Sequence, residues 1–336
     1  MRLPSIKQEI EFYLPSVLFF ILVLSSAFIS SHSFAALDGS DWNLSDQLGD
    51  AAKIAGDWPK AEEAYRKALT LIASPTQMDN RVADISIKLG NVLLKKKELK
   101  NAESEFRRAL SIYQWNFGPD DIKVADSLDR VAASLHNQEN GYALTGPLYS
   151  RALAIREKAL GPDHPEVADS LDRTGLALYF ENGRLSGAIP LFERALKIRE
   201  KCFGHFHASV ANSLSTLAFV YDLFNAQDRA IPLYEEALLI REKILASDDQ
   251  EILQSLYNLG MAYRLEKFHD KSASIFERRL RILETKFGPN HSEVVSTLSH
   301  LDSVLREAGR NEEAKQISER AAQLRSQIKP QEPPKN

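Results

Sequence analysis

Residues 167–198 read VADSLDRTGLALYFENGRLSGAIPLFERALKI and contain two amphipathic segments joined by a polar turn. In the second segment, Ile189, Phe192 and Leu196 follow the three-and-four spacing of one helical face, and charged residues take the opposite face. The pair Asn182 and Gly183 between the segments is typical of a turn. This stretch therefore predicts a hairpin of two antiparallel helices.

Both segments recur along the chain at nearly constant intervals. Copies of the first segment start at Val82, Val124, Val167, Val210 and Ile252, which are 42, 43, 43 and 42 residues apart. Copies of the second segment follow in phase, starting at Ala61, Ala102, Thr145, Ala188, Ala230, Ser272 and Ala314. A single hairpin cannot cover its own apolar faces, so hairpins of this kind bury them by stacking on their neighbours. The repetition therefore predicts an all-α stack of about seven hairpins over residues 41–328.

Two positions of the repeat predict how each hairpin closes. A small residue recurs on the first helix, at Gly49, Gly90, Gly175 and Gly260, with Ala132 and Ala218 in the remaining copies. An aromatic residue recurs on the second helix, at Tyr65, Phe106, Tyr149, Phe192, Tyr234 and Phe276. Small residues allow two helices to approach closely, and a large side chain on the partner helix can then fill the contact. We expect these residues to form the structural core of the repeat.

Composition argues against several classes of function. A net charge of −4 over 336 residues is unlike the strong basic excess of nucleic-acid-binding proteins. No zinc-binding cysteine pattern, phosphate-binding glycine loop or nucleophile motif is present. The histidines at His205 and His207 raise a metal interpretation, but His164, His207 and His291 share one linker position in successive copies and are better explained as helix caps. We therefore predict no enzyme activity, no cofactor, no metal site and no nucleic-acid partner.

The first 36 residues differ in character from the repeats. Arg2 and Lys7 precede an apolar run over residues 14–29, and a small-x-small pattern follows at residues 33–35. This is the layout of a secretory signal peptide that is cleaved after Ala35. The run is shorter than the roughly 20 apolar residues that a spanning helix usually needs. We predict an exported protein (periplasmic, lumenal or extracellular), and the alternative is an uncleaved membrane anchor.

The repeat resembles the tetratricopeptide pattern over residues 41–328, because the small residue, the aromatic residue and a following alanine recur in phase. The linker at residues 161–168, GPDHPEVA, and its copies at residues 117–120 and 287–291 resemble the kinesin-light-chain subtype, whose repeat has about 42 residues. The resemblance implies a right-handed α-solenoid of about seven antiparallel helix hairpins. It also implies that a peptide or protein segment binds in a concave groove lined by the first helices.

The groove positions of that family map onto the first helix of each hairpin. Carried over, they give Asp126, Asp129, Asp169, Asp172, Tyr179, Asn212, Phe219, Tyr257 and Arg264 as partner-binding residues. One interpretation is that the acids select a basic segment while the aromatic residues hold an apolar side chain. The other is that the acids are a solvated helix start, favoured by the helix dipole and neutralised by neighbouring arginines.

These patterns together predict a non-catalytic scaffold for protein–protein interactions that is exported from the cytoplasm. The alternative is a membrane-anchored assembly factor for a membrane complex, which requires that residues 14–29 stay uncleaved. The partner would be a protein or peptide with a basic and apolar segment. Residues 329–336, which are proline-rich and polar, are predicted to be a disordered tail. The pattern leaves the oligomeric state open.

Overall fold

The computed structural model describes residues 41–72, 78–136, 138, 141–182 and 185–327. Within these ranges all regular structure is helical and no strand occurs, so the predicted all-α solenoid is confirmed. The chain divides after Pro119 into two compact units. Unit 1 contains α1 (Trp42–Ile54), α2 (Trp58–Leu71), α3 (Asn80–Lys95) and α4 (Leu99–Phe117).

Unit 2 contains five further hairpins. They are formed by α5 (Ile122–Leu135) and α6 (Tyr142–Leu160), α7 (Pro165–Asn182) and α8 (Leu185–Phe203), α9 (Ala208–Leu223) and α10 (Gln227–Ile244), α11 (Gln250–Leu265) and α12 (His269–Phe287), and α13 (Ser292–Glu307) and α14 (Asn311–Gln327). In each unit, consecutive helices pack against each other. In the second to sixth hairpins the first helix carries the segment that resembles VADSLDR. The second helix carries the aromatic residue in every hairpin but the last, which has Ser318 at that position.

The small residue and the aromatic residue of a hairpin lie in direct contact. In unit 1, a Cβ atom built on Gly90 would lie 2.4 Å from the ring of Phe106. In unit 2, a Cβ atom on Gly175 would lie 2.8 Å from the Phe192 ring. Both rings are almost fully buried. At Gly90 and Gly175 the two helices of the hairpin therefore approach so closely that a side chain could enter only if the facing ring moved.

The ends of the helices follow from the linker sequence. Gly161 ends α6 with a φ of 88°, a left-handed conformation that favours glycine. His207 caps α9, because its Nδ1 accepts a hydrogen bond from the Ser209 backbone N–H at 3.2 Å, and its ring stacks on Phe203 at 4.6 Å. His164 and His291 accept the same kind of hydrogen bond at their own linkers. Capping explains why this histidine recurs.

The predictions for the chain ends lie outside the described residues. This holds for the signal peptide or membrane anchor at residues 1–36 and for the tail at residues 329–336. Among the helices that the structure describes, none is both long enough and apolar enough to cross a membrane.

Candidate partner-binding face

In unit 2, the predicted partner-binding residues lie on one side of the first helices, which we call the first-helix face. The face contains Asp126 and Asp129 on α5, Asp169, Asp172 and Tyr179 on α7, Asn212 and Phe219 on α9, and Tyr257 and Arg264 on α11. All nine are exposed or half-buried, whereas neighbours in the same helices, such as Leu128 and Leu171, are buried. The repeat register therefore brings these residues to a common surface.

The acids of α5 are held by an arginine from the second helix of the same hairpin. Arg156, whose side chain is only 4% exposed, contacts Asp126 Oδ1 at 2.5 Å and Asp129 Oδ2 at 2.8 Å. Its Nη1 also donates to Ser170 Oγ on α7 at 2.7 Å. Arg173 of α7 reaches back to Asp129 Oδ2 at 2.7 Å. These contacts tie α5, α6 and α7 together.

The same arrangement recurs one hairpin later. Arg199 contacts Asp169 Oδ1 and Asp172 Oδ2, each at 2.6 Å. Its Nη1 also donates to Ser213 Oγ of α9 at 2.6 Å. The four acids that were candidates for selecting a basic partner are therefore all engaged by buried arginines. This geometry favours the interpretation in which arginines neutralise the acids, although the arginines come from the second helices.

Farther along unit 2 the arginine persists while the acids disappear. Arg241 donates to Asn212 Oδ1 at 2.6 Å and to Ser215 and Ser255 at 2.8 Å. Its carboxylate partner is Glu251, at 3.0 Å. Each arginine thus has a carboxylate partner, two aspartates in the case of Arg199 and one glutamate in the case of Arg241.

The last arginine of this series occupies a different place in the sequence. The position in phase with Arg241 is Leu283, which cannot form an ion pair. The buried arginine of this hairpin is instead Arg279, one helical turn earlier. Arg279 pairs with Glu293 at 2.8 Å and lies 5.6 Å from the centre of the Tyr257 ring. It also donates to the hydroxyl of Thr297. Burial lowers the pKa of Arg279 despite the attraction of Glu293.

Sequence reasoning missed these arginines. Three of them share the sequence Ile-Arg-Glu-Lys at residues 155–158, 198–201 and 240–243. That tetrapeptide is mostly charged, which is typical of a solvated surface. One signal could have indicated that the arginines are buried. Each of them directly follows an isoleucine that the repeat places in the core.

Burial separates the acids into two groups. Asp126 and Asp169 expose 52% and 55% of their side chains, whereas Asp129 and Asp172 expose 12% and 24%. Burial raises the pKa of Asp129 and Asp172, and the neighbouring arginines oppose this shift. One carboxylate oxygen of each is buried without a hydrogen-bond partner among the described residues. Asp129 and Asp172 are therefore mainly structural, and only Asp126 and Asp169 offer oxygens to a ligand.

An apolar patch lies in the middle of the first-helix face. Leu176 and Phe219 expose 39% and 51% of their surface, and half-buried Tyr179 packs against the core beneath them. Leu176 also lines an open cleft of about 260 Å³ together with Ala133, His136, Tyr149, Arg173 and Ala177. We call Leu176, Tyr179 and Phe219 the apolar patch. It offers a bulky side chain an apolar contact next to a cleft.

The far end of the face is occupied by contacts within the protein. Arg264 forms a two-pronged ion pair with Glu307 of α13, with Nη2–Oε1 and Nε–Oε2 distances of 2.5 and 2.9 Å. The ring of Tyr257 lies 5.3 Å from that of His300, which stacks on buried Phe276 at 5.6 Å. Burial lowers the pKa of His300, and the nearby charges of Arg264 and Arg279 lower it further. Arg264 and Tyr257 are therefore less available to a partner than the apolar patch.

Phased helix hairpins whose first helices share one polar face with an apolar centre define a class of protein, the helical-repeat interaction scaffold. The chain belongs to the tetratricopeptide repeat family. Family models described as tetratricopeptide repeat match residues 123–201, 176–243 and 251–327, and a further one matches residues 83–114. In their fold, the repeats are similar to kinesin-light-chain TPR-like repeats, the type that the linker sequence predicted.

Comparison with known proteins supports this assignment at the level of the fold. The kinesin-light-chain TPR-like repeats of Podosopora anserina superpose with a TM-score of 0.57 at 22% identity, covering 63% of this chain and 99% of theirs. A STAND protein with a tetratricopeptide repeat sensor from Pyrococcus horikoshii gives a TM-score of 0.66 at 16% identity, over 83% of this chain and 41% of that one. A Tonsoku-like protein of Mus musculus is 29% identical over 106 residues. That match spans 32% of this chain and only 8% of the mouse protein.

Proposed function

We propose that this protein is an exported, non-catalytic scaffold that binds a segment of another protein on the first-helix face of unit 2. The observation that carries the proposal is the apolar patch. Leu176 and Phe219 remain exposed at the centre of a face whose buried charges are already paired within the protein. Apolar surface of this kind, rimmed by polar residues, marks interaction sites.

The chemistry of the face defines the kind of segment that it accepts. A bulky apolar or aromatic side chain would contact Leu176 and Phe219 and enter the adjoining cleft. A lysine or arginine beside it would reach Asp126 or Asp169, which are both about half exposed. Because each acid also contacts a buried arginine, the attraction for that basic residue is modest, and the apolar contact supplies most of the affinity.

Export is the second part of the proposal and depends on residues 1–36. The apolar run over residues 14–29 and the small residues at 33 and 35 support a cleaved signal peptide. The alternative, an anchored assembly factor, makes a different prediction for fractionation. The exported protein should be shortened to begin near residue 36 and be released in soluble form, whereas an anchored protein should keep its full length and remain with membranes after a carbonate wash.

The binding test compares a double variant of the apolar patch with a single control variant. Leu176→Ala with Phe219→Ala removes the apolar patch, and Leu239→Ala is the control, because Leu239 is 47% exposed on the second helix α10. Partners captured by the wild-type protein and the control, and lost by the patch variant with unchanged circular dichroism, would support the proposed site. Equal capture by all three proteins would show that binding does not use the first-helix face.

A second comparison measures the contribution of charge. Asp126→Asn with Asp169→Asn removes the accessible charges and preserves amide oxygens that can accept from Arg156 and Arg199. We expect binding of the captured partner to weaken and to lose part of its salt dependence. Unchanged affinity and salt dependence would show that the partner contacts only the apolar patch.

A further inference from the structure

An ion pair normally joins the second helices of successive hairpins in unit 2. Glu157 of α6 pairs with Arg194 of α8, whose other Nη nitrogen donates to the Pro162 carbonyl in the linker at 3.0 Å. The in-phase residues farther along form the same pair, Glu242 with Arg278 and Glu284 with Arg320. Each contact pairs an arginine with a glutamate of the preceding hairpin, and Arg194 also contacts the linker between them.

One boundary departs from this pattern at two positions together. Between α8 and α10, the residue in phase with Arg194 is Glu236, and the residue in phase with Pro162 is His205. The glutamate itself is kept, as Glu200. At this boundary the carboxylate of Glu200 is therefore opposite that of Glu236, and not opposite an arginine. The linker has the imidazole of His205 where the other linkers of unit 2 have proline or serine.

These three residues come together in the structure. Each of Glu200, His205 and Glu236 offers one potential metal-ligand atom, and these three atoms all lie within 4.8 Å of one another. His205 Nδ1 is 3.6 Å from Glu236 Oε1. All three are exposed or half-buried, so an ion can enter from solvent. Small rotations of these side chains would bring them to the distances of about 2.0–2.2 Å at which zinc is bound.

We propose that Glu200, His205 and Glu236 bind a divalent transition metal ion, for which Zn²⁺ is the best match. Two carboxylates and one imidazole are common zinc ligands, and three protein ligands leave a fourth position for water. The ion supplies the positive charge that an arginine supplies at the neighbouring boundaries. It joins α8, the linker and α10, and so connects the fourth hairpin to the fifth.

The nearby residues that compete as ligands have other contacts. His207 Nδ1 accepts from the Ser209 backbone and caps α9, so it is not a fourth ligand in this arrangement. The Cys202 thiol, which is exposed, donates to the Asp163 carbonyl at 3.3 Å. Lys243 lies over the ring of Phe206, at 3.9 Å from its centre. The metal site is therefore limited to the three residues.

The repeat supplies the matched controls. Glu236→Arg introduces the ion pair of the other boundaries, and His205→Pro introduces the linker proline. Both variants therefore place at these positions residues that other repeats of the chain already have there. Glu236→Gln is a further variant in case the arginine disturbs folding. Binding of Zn²⁺ to the purified chain is measured by isothermal titration calorimetry, and thermal unfolding is measured with and without Zn²⁺, since an ion that binds the folded state raises its melting temperature.

We expect one saturable Zn²⁺ site per chain and a higher melting temperature with the ion. Both effects should be lost in Glu236→Arg and His205→Pro, and excess Mg²⁺ should not compete, because an imidazole ligand favours zinc over magnesium. No binding to the wild type, or equal binding to all variants, would overturn the proposal. Effective competition by Mg²⁺ would show that the carboxylates bind hard cations without the histidine, and would likewise overturn it.

Discussion

Arg199 Nη1 lies 2.6 Å from Asp172 Oδ2, and both side chains are largely buried on a face for which the sequence predicts partner binding. The same side chain contacts Asp169 and the hydroxyl of Ser213 in the next hairpin. A single arginine therefore contacts side chains on two successive first helices, α7 and α9. The acids of the VADSLDR segment therefore stabilise the stacking of the hairpins, in addition to any role in recognising a partner.

Replacing Arg199 with methionine should destabilise unit 2. The substitution leaves Asp172 buried without its cation, and breaking a buried ion pair in this way costs about 3–5 kcal/mol. The free energy of unfolding from urea titration measures the effect. The control is Lys201→Met, because the ion pair of Lys201 with Asp163 is exposed and should contribute little.

The defect of Arg199→Met should depend on pH. Burial already raises the pKa of Asp172, and loss of the arginine removes the main opposing attraction. A carboxyl group whose folded pKa is raised stabilises the protein below its ordinary pKa of about 4 and loses that contribution as pH rises through the folded value. The variant should therefore lie closer to the wild type in acid than at neutral pH, and a gap that widens on acidification would contradict this account.

The sequence allowed the hairpins and their internal contacts to be predicted, because these depend on local periodicity and on phase. Gly90 and Phe106, for example, can be paired from the repeat alone. The contact between Arg156 and Asp126 could not, because it joins residues 30 positions apart through a side chain in a charged tetrapeptide. Arg279 shows the limit of phase more clearly. It makes contacts like those of Arg241 although it lies one helical turn before Leu283, the position in phase with Arg241.

Substitution of Gly90 by alanine should disturb the second hairpin. The new Cβ atom would lie 2.4 Å from the ring of Phe106, which is fully buried and has little room to move. Overpacking of this kind costs about 1–3 kcal/mol. Gly187→Ala is the matched control on α8, where the nearest atom is 4.0 Å away and alanine favours the helix. Equal stability of the two variants would show that the helices can separate without cost.

Acidification should weaken the contacts around His300. Its ring contacts those of Tyr257 and Phe276, and the nearby Arg264 and Arg279 oppose a further positive charge. A histidine whose folded pKa is lowered stabilises the protein above its ordinary pKa of 6.5, and this contribution is lost as pH falls through the folded value.

The melting temperature of the wild type should therefore fall more between neutral pH and pH values of about 5 than that of His300→Gln. The difference between the two proteins isolates His300 from the other histidines of the chain. An identical pH dependence would show that the protonated ring is accommodated without loss.

Two phenylalanines distinguish stability from binding. Phe192 is 1% exposed against Gly175, and Phe219 is 51% exposed on the first-helix face. Phe192→Ala should cost about 3–5 kcal/mol, as expected for a buried aromatic residue. Phe219→Ala should leave the urea midpoint nearly unchanged while reducing partner capture. Because the fold gains little from an exposed aromatic side chain, a stability loss at Phe219 comparable to that at Phe192 would assign it to the core and remove the central residue of the apolar patch.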